Sequence, residues 1–129
     1  MVLDTSALLA LLLDDAEAET FRIAVEEDAT RLVSAVTLLE TAIVIEARKG
    51  EAGGRELDLL VHRADIATVA VDSAHVSEAR RAYRRFGKGH HPAGLNFGDV
   101  FAYALARITG EPLLFKGEDF ARTDIARVL

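Results

Sequence analysis

The chain begins MVLDTSALLALLL over residues 1–13, and this stretch decides the class of fold. Its first three residues are apolar and predict a short buried strand that ends at Asp4. Thr5 or Ser6 is suited to cap a helix that runs through Leu13. A strand followed by a polar residue and a helix is the repeating unit of α/β proteins.

The same unit recurs along the chain. Further strands are predicted over residues 31–33, 66–71 and 113–115, with a fifth over 125–129. Helices are predicted over 16–27, 34–49, 56–64, 73–86 and 97–108, with a turn at Gly53-Gly54 and a loop over 87–94. Right-handed crossovers would place helices on both faces of the sheet. The sequence therefore predicts an α/β three-layer sandwich with a mostly parallel sheet of four to five strands.

The composition limits the classes of function. A chain of 129 residues, half of them hydrophobic, fits one domain over 1–129 with a substantial core. The absence of cysteine excludes disulfides, thiolate metal ligands and cysteine catalysis, and it fits a reducing cytoplasm. The start of the chain does not resemble a signal peptide, and the apolar run over 7–13 is too short to span a membrane. The formal charge of −6 disfavours nucleic-acid binding unless the cations are clustered.

Four acidic residues stand near predicted boundaries between strands and helices: Asp4, Glu40, Asp99 and Asp119. A parallel sheet brings the carboxyl ends of its strands together at one edge. Carboxylates gathered there would repel one another unless a cation joined them. Magnesium and similar small divalent cations prefer oxygen ligands. The pattern therefore favours a metal site suited to phosphate chemistry.

Each acid also has a purely structural interpretation. Asp4 suits a turn or a helix cap. Thr37 and Glu40 match the spacing of a capping box, in which the glutamate reaches back to the cap amide. Asp99 would lie in a first helical turn, where the helix dipole favours an acid, and Asp119 lies in a polar turn. The joint placement of the four acids, and not any one of them, supports the metal site.

A group of basic residues recurs along the helix predicted over 73–86 and just beyond it: Arg80, Arg81, Arg84, Arg85 and Lys88. Their spacing puts them on one helical face, where like charges four residues apart destabilise the helix. An anionic partner would relieve that repulsion. The face could bind RNA phosphates in an otherwise acidic protein, or it could simply be solvated.

The ordered set of motifs resembles a known family. The segments VLDTSA over 2–7, Glu40, LNFGD over 95–99 and LLFKGEDF over 113–120 are similar to those of PIN domains, and more narrowly of the VapC toxins of bacterial toxin–antitoxin pairs. The resemblance covers nearly the whole chain. It implies a ribonuclease that depends on Mg²⁺ or Mn²⁺, with Asp4 and Asp99 as direct metal ligands. Glu40 and Asp119 would then act through water or a second ion.

The resemblance also implies supporting residues and partners. Thr5, Ser6 and Asn96 are candidates for positioning a water molecule or a phosphate. Members of the family form homodimers and are inhibited by a VapB-like antitoxin, so the basic face could alternatively bind acidic antitoxin residues. Neither a membrane nor any cofactor other than the metal ion is implied. His90 and His91 lie in a glycine-rich loop and are expected to contact RNA or antitoxin and not to perform chemistry.

Other classes of protein also collect acids at strand ends. A haloacid-type phosphatase would carry a second acid two residues after Asp4, where this sequence has Ser6. A receiver domain would place a lysine where Lys116 lies and would need Asp72 as its phosphoacceptor, but Asp72 is predicted to cap a helix. A third alternative is a PIN module that docks a partner and has lost catalysis.

Overall fold

Four short strands form one fully parallel sheet in a computed structural model that describes residues 1–129. They are β1 (Val2–Leu3), β2 (Leu32–Ser34), β3 (Ala67–Val69) and β4 (Leu113–Leu114), in the spatial order β3-β2-β1-β4. Val2 is in register with Leu32 on one side and with Leu113 on the other. The two central strands, β2 and β1, are apolar except for the buried Ser34 at the end of β2, as expected for parallel strands covered on both faces.

Two helices connect each strand to the next. They are α1 (Thr5–Leu12), α2 (Ala18–Glu27), α3 (Ala35–Lys49), α4 (Glu51–Arg63), α5 (Ser73–Phe86) and α6 (Asp99–Thr109), followed after β4 by a 3₁₀ turn over Phe120–Arg122. Every connection therefore passes over a face of the sheet, so that each strand runs in the same direction as the strand before it. This geometry brings all the carboxyl ends of the strands to one edge.

The buried side chains divide into two clusters because neighbouring residues of a strand point to opposite faces. Val2 and Leu113 belong to one cluster, which includes residues of α5 and α6. Leu3 and Leu114 belong to the other, which includes residues of α1 and α2. The predicted three-layer α/β arrangement with a parallel sheet is confirmed.

Helix α6 is the most buried helix, as its nearly continuous apolar sequence predicts. Five consecutive residues, from Ala102 to Ala106, are no more than 4% exposed. The helix packs mainly against α5, and Gly110 ends it in a left-handed conformation, with φ of 74°. No helix combines the length and the apolar character that a membrane crossing requires.

Three details of the predicted secondary structure were wrong. Gly53-Gly54 is not a turn but part of α4, where a Cβ on Gly53 would lie 2.7 Å from the carbonyl oxygen of Ile45. This glycine therefore permits close packing of α4 on α3. The predicted helix over 97–108 begins two residues later, at Asp99. The predicted strand over 125–129 is reduced to a single bridge between Arg127 and Leu113.

Candidate functional site

The four acids interact electrostatically in the fold, and we call Asp4, Glu40, Asp99 and Asp119 the acidic cluster. Asp99, the first residue of α6, is half-buried. Burial, and to a smaller extent the negative charges of the other three acids, raise the pKa of its carboxyl to about 7, although the hydrogen bond from the Asn96 N–H lowers it. The carboxylates of Asp4, Glu40 and Asp119, from three other segments, thus lie close enough to oppose the ionisation of Asp99.

Asp4 is the most deeply buried member of the cluster, with 3% of the residue exposed. One carboxylate oxygen, Oδ2, accepts hydrogen bonds from the Ser6 backbone N–H at 3.0 Å and from the Ser6 hydroxyl at 2.7 Å. Asp4 is therefore the N-cap of α1, and the prediction that Thr5 or Ser6 would be the cap was wrong. The other oxygen, Oδ1, is buried without a hydrogen-bond partner. Burial of the group raises the pKa of Asp4.

Ser6 holds the Asp4 carboxylate in a fixed orientation. Its Oγ donates to Asp4 and accepts a hydrogen bond from the backbone N–H of Lys116 at 2.9 Å. Lys116 follows β4, and its side chain forms an ion pair with Asp15 at 3.0 Å. Ser6 therefore connects the end of β1 to the end of β4 while it leaves Asp4 Oδ1 free.

Glu40 lies in the second turn of α3 and faces the cluster. Its Oε1 accepts a hydrogen bond of 2.5 Å from the Thr5 hydroxyl. The hydroxyl of Thr41, which is fully buried, lies 3.2 Å from that of Thr5. The predicted capping box between Thr37 and Glu40 is absent, because α3 begins at Ala35 and both residues lie inside the helix.

Gly98 explains how α3 and α6 approach each other beside the cluster. A Cβ at this position would lie 1.9 Å from Oε2 of Glu40. The glycine has an ordinary helical conformation, with φ of −68°, so space rather than backbone strain requires the absence of a side chain. Any larger residue would displace the Glu40 carboxylate.

Asn96 and Asp99 cap the N-terminus of α6 reciprocally. The Asn96 side chain accepts a hydrogen bond of 2.9 Å from the Asp99 N–H, and Asp99 accepts one of 3.0 Å from the Asn96 N–H. The predicted cap with an acid in the first turn is thus present. It fixes the backbone on which Asp99 is carried.

Asp119 is exposed and precedes the 3₁₀ turn, which the buried ring of Phe120 anchors as the sequence indicated.

The chemistry of the cluster fits a hard divalent cation. The available donors are carboxylate oxygens, and one of them, Asp4 Oδ1, has no other partner in a buried position where an unsatisfied charge is costly. No group of three or more acidic or histidine side chains is placed so that it could hold a metal ion. The cluster is therefore not a preformed metal cage, and a bound cation would have to draw its carboxylates together.

Comparison with known proteins identifies the family of this chain. A family model described as the PIN domain matches residues 1–126. The chain belongs to the PIN-domain family. It is 62% identical over 128 residues to a Mycobacterium tuberculosis protein named Ribonuclease VapC30, a match that covers 99% of this chain and 98% of that protein. It is 60% identical to the Ribonuclease VapC of Mycolicibacterium smegmatis, with 99% of each chain covered.

A solved structure gives the same fold at much lower sequence identity. The crystal structure of Mycobacterium tuberculosis VapC20, described as a toxin that cleaves the sarcin–ricin loop, superposes with a TM-score of 0.79 at 19% identity, covering 97% of this chain and 95% of that one. This similarity establishes the fold of the PIN domain. The receiver and phosphatase alternatives are excluded by family membership, and Asp72 is the N-cap of α5, where it accepts from the His75 N–H.

The basic face of this PIN domain divides into two parts. Arg81 forms an ion pair with Glu78, and Arg85 pairs with Asp124 at 2.9 Å. Arg80 and Arg84 have no ion-pair partner and line a groove between α5 and the start of α6. Lys88 is exposed beyond the end of α5. The predicted uniform cationic face is therefore reduced to two unpaired arginines beside the groove and one lysine beyond them.

The loop histidines take structural positions in this PIN domain. His91 Nδ1 accepts a hydrogen bond of 3.0 Å from the Ala93 N–H, and its ring packs edge-on against Phe86. His90 packs edge-on against Tyr83, with the ring centroids 5.6 Å apart. Neither contact involves the acidic cluster.

Three residues near the acids were missed at the level of sequence. Thr41 and Gly98 surround Glu40, and the backbone of Lys116 supports Ser6. The position of Thr41 could have been recognised from the sequence. A threonine four residues after Thr37 on an otherwise apolar helical face is expected to be buried and to need a polar contact. The role of Gly98 depends on contact between α3 and α6, which no local pattern reveals.

Proposed function

We propose that this protein is a VapC-type toxin, an endoribonuclease that depends on Mg²⁺ or Mn²⁺ and hydrolyses RNA phosphodiester bonds in the cytoplasm. The observation that carries the proposal is the acidic cluster, in which Asp4 Oδ1 is buried without a partner and the charges of Asp4, Glu40 and Asp119 oppose ionisation of Asp99. Relatives that are 60% to 62% identical over nearly the whole chain are named VapC ribonucleases, which supports the same activity here.

Each residue of the site has a defined task in this proposal. Asp4 and Asp99 would bind the metal directly, and Glu40 and Asp119 would act through water or hold a second ion. A divalent ion held there would lower the pKa of a water molecule and neutralise charge on the phosphate in the transition state. Cleavage would leave a 5′-phosphate and a 3′-hydroxyl.

The hydroxyl and amide side chains orient the acids. Ser6 holds one oxygen of Asp4 and leaves the other without a partner, and Thr5 holds Glu40. Asn96 sets the position of Asp99 through the reciprocal cap. We propose that these residues act by positioning the carboxylates that bind metal, because neighbours that orient such ligands are typically worth ten- to a hundredfold in activity.

The deciding test is metal-dependent cleavage of RNA. We expect the purified protein to cleave structured RNA with Mg²⁺ or Mn²⁺ and to show no cleavage in excess chelator. Adding metal back should restore the cleavage activity. The 5′ ends of the fragments, mapped by sequencing, report the products. Cleavage that continues in excess chelator would overturn the metal-dependent mechanism, and no cleavage under any metal would favour a PIN module that only docks a partner.

Partners follow from the same proposal. Solved structures of similar fold include a VapBC pair from Rickettsia felis and one from Haemophilus influenzae, and this supports a VapB-like antitoxin for the present chain. We also propose a homodimer. Leu39 and Ile43, one turn apart on α3 and each 60% exposed, provide an apolar surface suited to association.

Substitution of Gly98 tests the position of Glu40. In Gly98→Ala the new methyl group would occupy the space of Glu40 Oε2 and force that carboxylate away from Thr5. We expect cleavage to fall by about ten- to a hundredfold. Gly98 is the N-cap of α6, where glycine is preferred over alanine, so the melting temperature should fall modestly, and the cleavage rates are compared at a temperature at which both proteins remain folded. Gly54→Ala in α4 is the matched control and should leave the cleavage rate at the wild-type value.

A further inference from the structure

An aromatic groove opens beside the acidic cluster, between α5 and the start of α6. Arg80, Tyr83 and Arg84 line it from α5, and Phe97, Val100 and Phe101 line it from the other side. Its volume is about 660 Å³, which lies within the range of small-molecule binding pockets. The groove is therefore large enough for a nucleotide.

Phe97 is the most exposed large hydrophobic residue of the chain, with 75% of its surface accessible. Its ring packs edge-on against Phe101, with the centroids 5.2 Å apart, and this contact leaves the outer face of Phe97 open. An exposed phenylalanine held by a second ring is a platform for a flat ligand. Leaving it in water costs free energy unless a partner covers it.

The position of Phe97 is fixed relative to the acids. It lies between Asn96 and Gly98 in the reciprocally capped turn that carries Asp99. The Cα atoms of Phe97 and Asp99 are two residues apart and so within about 7.6 Å of each other. This spacing is short enough for a polynucleotide with a phosphate at Asp99 to place a neighbouring base against the ring.

The charged residues that line the groove indicate what kind of ligand it could bind. Arg80 and Arg84 line the groove without a carboxylate partner, whereas Arg81 and Arg85 are neutralised by Glu78 and Asp124. Unpaired guanidinium groups beside an open aromatic ring match a nucleotide, which presents both a phosphate and a π-face. A second copy of this chain, whose net charge is −6, could also pair with the two arginines, so sedimentation distinguishes that occupant in the test below.

We propose that the aromatic groove is a nucleobase subsite, in which an unpaired base next to the cleaved bond stacks on Phe97 while Arg80 and Arg84 hold the adjoining phosphates. The inference rests on the proposed function, because it assumes an RNA strand at the acidic cluster. It adds that the substrate must be single-stranded or have an extruded base at this position. The ring would accept any base, because every base has a π-face.

The experiment compares two oligomers under conditions where no cleavage occurs. A fluorescein-labelled oligouridylate and an abasic oligomer of equal length are titrated in chelator by fluorescence anisotropy. Loss of one stacked base corresponds to about 5- to 150-fold in affinity. We expect Phe97→Ala to weaken oligouridylate binding within that range, to leave the abasic oligomer unaffected, and to be rescued by Phe97→Trp. Ile108→Ala, an exposed apolar residue near the far end of α6, is the matched control.

The arginines should behave differently from the ring. Replacing both Arg80 and Arg84 with glutamine should weaken both oligomers equally and make the salt dependence of binding shallower, because phosphate contacts release counterions whether or not a base is present. Arg55→Gln, an exposed arginine on α4, should change neither property.

Several results would overturn the subsite. Equal binding of the two oligomers by the wild type would do so, as would equal effects of Phe97→Ala on both. Sedimentation provides a further check: if Phe97→Ala converts a dimer into monomers, the groove is a contact between copies and the assignment to a base is wrong. Failure of the base subsite can be distinguished from failure of the proposed nuclease function. If the wild type cleaves RNA with metal, the nuclease function is supported even when the subsite is rejected.

Discussion

The Asp99→Asn protein should lose at least about a thousandfold in metal-dependent RNA cleavage while it remains folded. Asparagine has the same shape as aspartate and can still accept the hydrogen bond from the Asn96 N–H, so the cap of α6 is preserved. What disappears is the charge that would bind the metal directly. A bound ion contributes several kcal/mol of transition-state stabilisation, and each 1.36 kcal/mol corresponds to tenfold in rate.

The comparison should use initial rates at saturating Mg²⁺ and again at Mn²⁺. Asp58→Asn is the matched control, because Asp58 is an exposed aspartate on α4 outside the acidic cluster. Asp4→Asn should resemble Asp99→Asn, since both carboxylates are proposed as direct ligands. A rate for Asp99→Asn within tenfold of wild type would exclude Asp99 from direct metal binding.

Much of the architecture could be predicted because it depends on local patterns. Short apolar runs such as Met1-Val2-Leu3 are typical of buried strands, and a parallel sheet gathers the carboxyl ends of its strands at one edge. Asp4 follows β1 and could therefore be assigned to this edge, whereas Asp99 begins α6, which follows a loop and not a strand, so the same argument does not place it there. The reciprocal cap of α6 also followed from the sequence NFGD, because capping is a contact between residues three apart.

The remainder depends on contacts between residues distant in sequence. The spacing of Thr37 and Glu40 favours a capping box, but the chain enters α3 earlier, and Glu40 bonds instead to Thr5, 35 residues away. Likewise the pairing of Arg85 with Asp124 spans 39 residues, so the division of the basic face could not be foreseen. The pattern of two adjacent glycines in α4 favours a turn, because the local sequence does not reveal that these glycines pack against α3.

The clustered acids should also make the metal-free protein less stable as pH rises. The pKa of Asp99 is about 7 in the folded protein, whereas an unfolded aspartate has a value near 3.8. The folded state therefore holds this proton more tightly, and the stability it provides is complete below the unfolded pKa and lost as pH rises through the folded one. Asp4 shifts in the same direction. Asp28 and Asp124 have lowered pKa values, so their stabilising contributions are lost only in more acidic solution.

Denaturant unfolding in chelator between pH 5 and pH 8 measures this effect. We expect the wild type to lose about 1–2 kcal/mol over that interval from Asp99, after allowance for solvent screening of a half-buried carboxylate. Asp99→Asn should flatten the profile and be the more stable protein at pH 8. Adding Mg²⁺ at pH 8 should stabilise the wild type but not the variant, because a ligand that binds only the folded state adds to its stability. A wild-type profile that rises towards pH 8 in chelator would mean that neither burial nor the neighbouring carboxylates raise the pKa of Asp99, and the electrostatic basis of the metal site would be lost with it.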